Sequence, residues 1–189
     1  MFKYVNDISE LAQQIIERYN SEFNLAVDCT LGNGHDCDFL RKKFKKVYAF
    51  DIQEKAIERY EGFKYDNVEC ICDSHENIKN YVYENIDAAM FNLGYLPGGD
   101  KAITTQYESS IKALEATMSL LNEGGIITLA IYHGHTEGEI EKEKILKHLK
   151  DLDSKNFGVM LHTFHNRSEL APFLIVIEKK LSKRWKKYK

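Results

Sequence analysis

Val27-Asp28-Cys29-Thr30-Leu31-Gly32-Asn33-Gly34-His35-Asp36 decides the fold. Leu25, Ala26 and Val27 form the end of an apolar strand, Asp28 closes it, and the chain breaks into a turn with Gly32 and Gly34 two apart before a helix begins. Glycines let a backbone bend sharply and approach a ligand, and an acidic residue at a strand end is expected to face the crevice beyond it. Two glycines after a strand are also a common turn. A second acidic strand end makes the pattern more specific: Val47-Tyr48-Ala49-Phe50-Asp51-Ile52 places a carboxylate roughly 20 residues past the turn, where a ribose diol is bound in nucleotide-binding α/β folds.

The 189 residues suit one domain with a substantial core, 1–189, ending in a basic tail at 179–189. With 43% hydrophobic and 29% charged residues the composition is globular. Apolar runs such as Ile126–Tyr132 are too short to span a bilayer, so no membrane is expected as partner. The first residues, Met-Phe-Lys-Tyr-Val-Asn-Asp, hold no secretory hydrophobic stretch, which makes the cytoplasm the default location. Cys29, Cys37, Cys70 and Cys72 lack disulfide or zinc spacing and read as small buried hydrophobes. The net charge of −3 is uneven: seven Lys or Arg and no acid occupy 179–189, leaving 19 basic and 29 acidic residues elsewhere, a net of −10. An acidic body with a basic tail suggests a polyanion near that tail, although such a tail can simply be solvated.

Ile8, Leu11, Ile15 and Tyr19 predict a helix over 7–21. Strands follow at 24–30, 47–52, 68–73, 86–93, 126–132, 158–165 and 171–178. Helices are expected near 34–44, 53–63, 76–83, 103–121 and 137–152. Gly124 and Gly125 read as the stop of the 103–121 helix, and Thr136 with Glu139 as a capping box. Alternating strands and helices demand a mostly parallel sheet covered on both faces, while the last two strands are close enough only for an antiparallel hairpin. A three-layer, Rossmann-like α/β fold with seven strands and a terminal antiparallel hairpin is the architecture of class I S-adenosylmethionine methyltransferases.

The glycine turn lacks the third glycine of a nicotinamide-binding G-x-G-x-x-G, with Cys37 in its place. Asp36 would also repel a pyrophosphate at the helix start. S-adenosylmethionine carries no phosphate and two positive centres, so acids at 28 and 36 suit it. The fourth strand runs into Phe91-Asn92-Leu93-Gly94-Tyr95-Leu96-Pro97-Gly98-Gly99-Asp100-Lys101. Amino-methylating enzymes of this fold carry an Asn or Asp, two small or proline residues and an aromatic here. An Asn oxygen and a neighbouring carbonyl can accept the hydrogens of a target nitrogen and aim its lone pair, and an aromatic can stack on a base. Catalysis is then mostly positioning. The same residues could also be no more than a glycine-rich turn.

Asp28–Asp36, Asn92–Lys101, Tyr132-His-Gly-His-Thr-Glu-Gly138 and the late Asn166-Arg167, in that order, resemble the YtqB/MnmM family of class I methyltransferases, which carries the label of ribosomal RNA methylases. The resemblance covers nearly the whole chain. It implies methylation of the 5-aminomethyl group on the wobble uridine of tRNA, giving 5-methylaminomethyl-2-thiouridine, with the anticodon stem-loop as partner. It implies donor contacts at Asp28, Asn33, Gly34, Asp36, Asp51, Gln53, Asp73, Ser74 and His75, with Asn92 shared between donor and target and Tyr95 on the target. Thr30 departs from the commoner motif, which has glycine there; cytosine-N4 methyltransferases of ribosomal RNA carry a similar variant but also an inserted domain that this chain lacks.

An alkylammonium, like lysine, has a reference pKa of about 10.4 and must lose a proton before attack, helped by desolvation. Asp100, Tyr107 and His133 are candidate bases, none compelling. His133 and His135 are spaced like ligands, but no Cys or acid stands at metal spacing, and no metal is expected; His133 reads as a substrate contact. Arg167 could grip a phosphate or be an ordinary surface residue. Arg41, Lys42, Lys43, Lys45 and Lys46, with the tail, could meet an RNA backbone. Methylation of a ribosomal RNA base or a small amine, and a catalytically silent RNA-binding module, remain rival readings. A homodimer is compatible with the sequence and not specified by it.

Overall fold

A computed structural model of the chain describes residues 2, 4–5, 7–94, 107–134 and 136–182. In chain order it runs α1 (Ile8–Tyr19), β1 (Leu25–Asp28), α2 (His35–Lys43), β2 (Lys46–Asp51), α3 (Glu54–Glu61), β3 (Val68–Cys72), a 3-10 helix (His75–Asn80), β4 (Ile86–Leu93), α4 (Tyr107–Leu120), β5 (Leu121–Ile131), α5 (Thr136–Lys150), β6 (Phe157–His162) and β7 (Phe173–Lys179). These strands form one sheet in the order β3-β2-β1-β4-β5-β7-β6. The first five are parallel to their neighbours. β7 inserts between β5 and β6, antiparallel to both.

Alternation along the strands separates two cores, one on each face. Leu25, Val27, Tyr48, Phe50, Ala89, Phe91, Ile127, Leu129 and Ile175 pack against α4, α5 and the 3-10 helix through Ile78, Leu114, Met118, Ile145 and Leu149. Their neighbours Ala26, Val47, Ala49, Ala88, Met90, Ala130 and Leu174 pack against α1, α2 and α3 through Ile8, Ile16, Leu40 and Ile57. Strands buried on both faces carry no polar alternation, as in other parallel sheets. α1 starts where Asp7 accepts the backbone N–H groups of Ser9 (2.8 Å) and Glu10 (3.2 Å), an N-cap that sets the helix over the sheet.

Three expectations change. Gly124 and Gly125 do not stop α4; the helix ends at Leu120 and both glycines lie inside β5, whose register against β4 slips between Ile86 and Ala88. Gly124 has φ +74°, and a Cβ on Gly125 would stand 2.8 Å from the Asp87 carbonyl oxygen, so the glycines serve a bulge and a close strand approach. Cys72 is exposed on the edge strand β3, whereas Cys29 and Cys37 are buried. The segment after β3 is a 3-10 helix, started by the Ser74 hydroxyl accepting from Glu76 N–H. The Thr136 side chain of the expected capping box lies outside the described residues; the Glu139 carboxylate reaches His133 and Lys142.

Candidate active site

A cleft of about 1220 Å³ opens along the carboxyl ends of β1, β2, β4 and β5 and over the start of α1. Open parallel sheets bind ligands at this edge, where neighbouring strands send their chains to opposite faces. Asp7, Glu10, Asp36, Asp51, Asp73 and Glu76 line the cleft, and no Lys or Arg is among the described residues that do. Such a lining repels phosphates and attracts cations.

The glycine turn is held open by its own backbone chemistry. Gly32 and Gly34 have φ of +49° and +84°. A Cβ on Gly34 would stand 2.4 Å from Tyr60 Cε2, so a side chain is excluded there twice over. Gly32 N–H donates to Asp51 Oδ2 (2.8 Å) and Gln53 N–H to Asp51 Oδ1 (2.9 Å). Asp51 thereby locks the β1 and β2 turns together while lining the cleft. Thr30, the departure from the usual glycine, has a use: its Oγ1 accepts the backbone N–H of Asn92 at 2.7 Å, tying the turn to the end of β4.

Beyond Asp51, Ile52 lines the cleft with 59% of its surface exposed, an apolar face that the sequence reading missed. Across from it, Asp73 accepts from Ser74 N–H (2.7 Å), Asn77 Nδ2 (2.9 Å) and Tyr81 Oη (2.8 Å). Desolvation works against these bonds and is outweighed, leaving its carboxyl below the ordinary range. His75 Nδ1 lies 2.9 Å from the carbonyl oxygen of Cys29; a carbonyl only accepts, so Nδ1 carries the hydrogen. Burial pushes the His75 pKa down.

At the other end of the cleft sits Asn92. Its Nδ2 donates to Asp36 Oδ2 at 2.5 Å, and Gln13 Nε2 donates to Asp36 Oδ1 at 2.7 Å. Among the described residues Asn92 Oδ1 meets only the Ser9 hydroxyl, at 3.4 Å, and Ser9 in turn lies 3.5 Å from the Tyr132 hydroxyl. Leu93 O, the neighbouring carbonyl, accepts from Tyr132 N–H at 2.9 Å and retains a second lone pair. Burial raises the Tyr132 pKa, so its hydroxyl is a donor. Ser9 and Gln13 were absent from the sequence reading, and Tyr132 entered it only as part of a motif; α1 read only as an amphipathic helix, and nothing in its pattern says which polar residues face a cleft.

Of the residues expected from sequence, the cleft brings together Asn33, Asp36, Asp51, Gln53, Asp73, Ser74, His75, Asn92 and His133. Gly34 caps α2 behind it. Asp28 does not face the crevice: its side chain is 0% exposed, it accepts from Thr30 N–H at 3.0 Å, and Oδ2 is buried with no hydrogen-bond partner among the described residues. The carboxylate folds back under its own turn, where burial first, and Asp36 second, raises its pKa well above the ordinary value. His133 lines the cleft but has both ring nitrogens engaged, Nδ1 by Glu139 and Nε2 by the Ala171 carbonyl at 3.1 Å, so it clamps α5 to the loop before β7. Arg167 donates one N–H to Val5 O at 2.9 Å and stacks on Phe164 at 3.6 Å, which ties down the N-terminal segment, and the residue is exposed. Tyr95, Asp100 and His135 lie outside the described residues. No group of three metal-ligating side chains gathers among the described residues. No helix among them is long and apolar enough to cross a membrane.

The residues present fit S-adenosylmethionine: a phosphate-repelling cleft, an acid at the second strand end, an exposed isoleucine beside it for an adenine face, and an unsaturated Asn oxygen at the far end. Comparison with known proteins agrees. Residues 47–178 match a family described as "Putative rRNA methylase". A protein of Arabidopsis thaliana named tRNA (mnm(5)s(2)U34)-methyltransferase, chloroplastic, is 32% identical over 192 residues, 91% of this chain and 69% of the relative. A Clostridium thermocellum structure described as a putative rRNA-methylase is 40% identical, with TM-score 0.87 over 93% of this chain and 98% of that one. A Streptococcus mutans structure, described as a putative methyltransferase in complex with SAH, is 38% identical, with TM-score 0.84 over 93% of this chain and 99% of that one.

Proposed function

This chain belongs to the family described as "Putative rRNA methylase", and on that premise we propose that it methylates the 5-aminomethyl nitrogen of the wobble uridine in tRNA, giving 5-methylaminomethyl-2-thiouridine. The protein is an S-adenosylmethionine-dependent methyltransferase of class I fold. The observation that carries the finer reading is a carboxylate-lined cleft that ends at an Asn92 oxygen held only by a long 3.4 Å contact from Ser9 among the described residues, in a chain 32% identical to a relative named for that tRNA reaction.

S-adenosylmethionine supplies a methyl group bonded to a cationic sulfur, which takes the bonding electron pair as it leaves. Asn33, Asp51, Gln53 and Ile52 would hold its ribose and adenine side, with Asp73, Ser74 and His75 closing the adenine end. The substrate ammonium first gives one proton to water as the cleft desolvates it, and Asn92 Oδ1 and the spare lone pair of Leu93 O then accept the two N–H hydrogens of the neutral amine and direct its lone pair along the cleft. The new N–C bond makes a secondary ammonium, which releases one proton to water. An acidic cleft draws in the substrate ammonium and repels the RNA phosphates, so the flipped base enters and the backbone stays outside. Tyr95 follows this segment and is proposed to stack on the base.

Nucleoside mass spectrometry of tRNA and ribosomal RNA from a deletion strain tests the substrate. Accumulation of 5-aminomethyl-2-thiouridine in tRNA is expected. An unchanged tRNA profile with a missing methylated base in ribosomal RNA would reject it in favour of the family's description. Asn92→Ala is expected to lower kcat by at least about 100-fold with donor affinity within about threefold, read by single-turnover kinetics and calorimetry with S-adenosylhomocysteine. Equal losses in both would remove Asn92 from the role given to it.

A further inference from the structure

We propose that Asp36 is a positioning residue: clamped by Gln13, it fixes the amide of Asn92 so that Oδ1, and not Nδ2, faces the acceptor amine. This rests on the acceptor role of Asn92 above. It takes Asp36 away from the donor, where spacing in the glycine turn had placed it.

The two amide atoms of an Asn have nearly the same shape, so its orientation must come from what its neighbours can accept. An ionised carboxylate only accepts. The side-chain atom of Asn92 lying 2.5 Å from Asp36 Oδ2 is therefore the NH₂ group, and the oxygen turns to the cleft. Asp36 cannot swing away, because its other oxygen takes Gln13 Nε2 at 2.7 Å and only 4% of its surface is exposed. Both oxygens are thus spent on protein partners. Burial raises the Asp36 pKa, the hydrogen bonds from Gln13 and Asn92 pull it back down, and the unpaired N–H groups of the first turn of α2 also favour the carboxylate. The far side of Asn92 is loosely held, with the Ser9 hydroxyl at 3.4 Å as a weak partner an amine can replace. A target nitrogen needs an acceptor there; an Asn turned the other way would present N–H groups to N–H groups.

Exchanging the polarity of the pair tests this. In Asp36→Asn, Gln13 keeps the side-chain oxygen of residue 36, so its NH₂ faces Asn92 and turns the Asn92 amide round. The expected result is a kcat lower by at least about 100-fold with S-adenosylhomocysteine affinity within about threefold. Asp36→Asn combined with Asn92→Asp restores a donor on 36 and an acceptor on 92, and is expected to recover at least about tenfold over Asp36→Asn alone. A fully active Asp36→Asn, a loss of donor affinity as large as the loss of kcat, or a double variant no better than the single would each overturn the proposal. Asn92→Ala separates the levels: if it stays active the acceptor reading itself fails, whereas an inactive Asn92→Ala beside an active Asp36→Asn sinks only the positioning role. A readout independent of substrate is the Asn92 side-chain NH₂ pair in ¹⁵N-resolved NMR, assigned by its loss in Asn92→Ala. It is expected to shift in Asp36→Asn; a pair that stays in place would refute the contact even if the tRNA proved not to be the substrate.

Discussion

His75 shows what a single residue in this cleft must be. Its Nδ1–H donates to Cys29 O at 2.9 Å, its ring packs edge-on to Phe91 with centroids 5.7 Å apart, and burial lowers its pKa. The folded protein holds it neutral, while the unfolded chain takes up a proton near the ordinary histidine value of about 6.5. Below that pH the unfolded state binds the extra proton, so the stability conferred by a neutral His75 is present above it and is lost as pH falls towards the depressed folded pKa. Urea unfolding at pH 7.5 and 5.5 should show this loss, with a slope of at most about 1.4 kcal/mol per pH unit from this group. His75→Gln should be less stable than the wild type at pH 7.5 and have a flatter pH dependence; an unchanged slope would show that another group carries it. At this scale the sequence revealed what spacing can reveal. Asp51, Asn92 and the Asp73–His75 segment follow strand ends, and strand ends meet at one edge. Side-chain direction was not legible. Asp28 turned inward, both nitrogens of His133 went to structure, and the partner of Asn92 lies 56 residues away in a turn that read as donor-binding.

The α2 element depends on Gly34 more than on its own helical propensity. Its first residue follows a left-handed backbone, φ +84°, with no side-chain cap. Tyr60 from α3 occupies the space a Cβ would need, at 2.4 and 2.5 Å, and is itself held by donating from its hydroxyl to Asp38 Oδ1 at 3.0 Å. Gly34→Ala therefore carries backbone strain of about 1–2 kcal/mol plus an overpacking cost of about 1–3 kcal/mol. Denaturant unfolding should place the variant about 2–5 kcal/mol below the wild type. A loss under about 0.5 kcal/mol would mean that Tyr60 moves freely and the turn is not pinned as described. Element type and order were readable because helices and strands here carry clean periodicities. Element ends were less so. A Gly-Gly pair ends many helices, but at 124–125 it lets β5 pass within contact distance of Asp87 on β4, a demand made by a strand from elsewhere in the chain.

Across the whole molecule, charge and chemistry are separated by the sheet. The cleft lies at the carboxyl ends of the parallel strands. α2 carries the chain away from it over roughly 13 Å (nine residues at 1.5 Å each), so the basic residues at 41–46 sit at the opposite edge. There they are largely neutralised: Arg41 pairs with Asp38, Lys43 with Glu17 and Lys46 with Glu69. β7 runs the same way, from Phe173 beside Ile131 at the cleft edge to Glu178 beside Ile126, and so brings Lys179 and Lys180 to that far edge too. A polyanion whose base enters an acidic cleft must be held by cations elsewhere. Of the two basic clusters, the one at 41–46 is spent internally, and the tail adds five Lys or Arg at 183–189 with no acid beside them. Neutralising a phosphate contact changes the slope of log affinity against log salt by about 0.7–0.9 per charge. Removing 183–189 should flatten that slope for tRNA by at least about 2, while Lys43→Ala changes it by less than about 0.5 because Glu17 already holds that charge. Binding isotherms at several salt concentrations measure both. A tail deletion that leaves the slope intact, or a Lys43 variant that lowers it as much as the deletion, would place the RNA on a different surface from the one this charge separation implies.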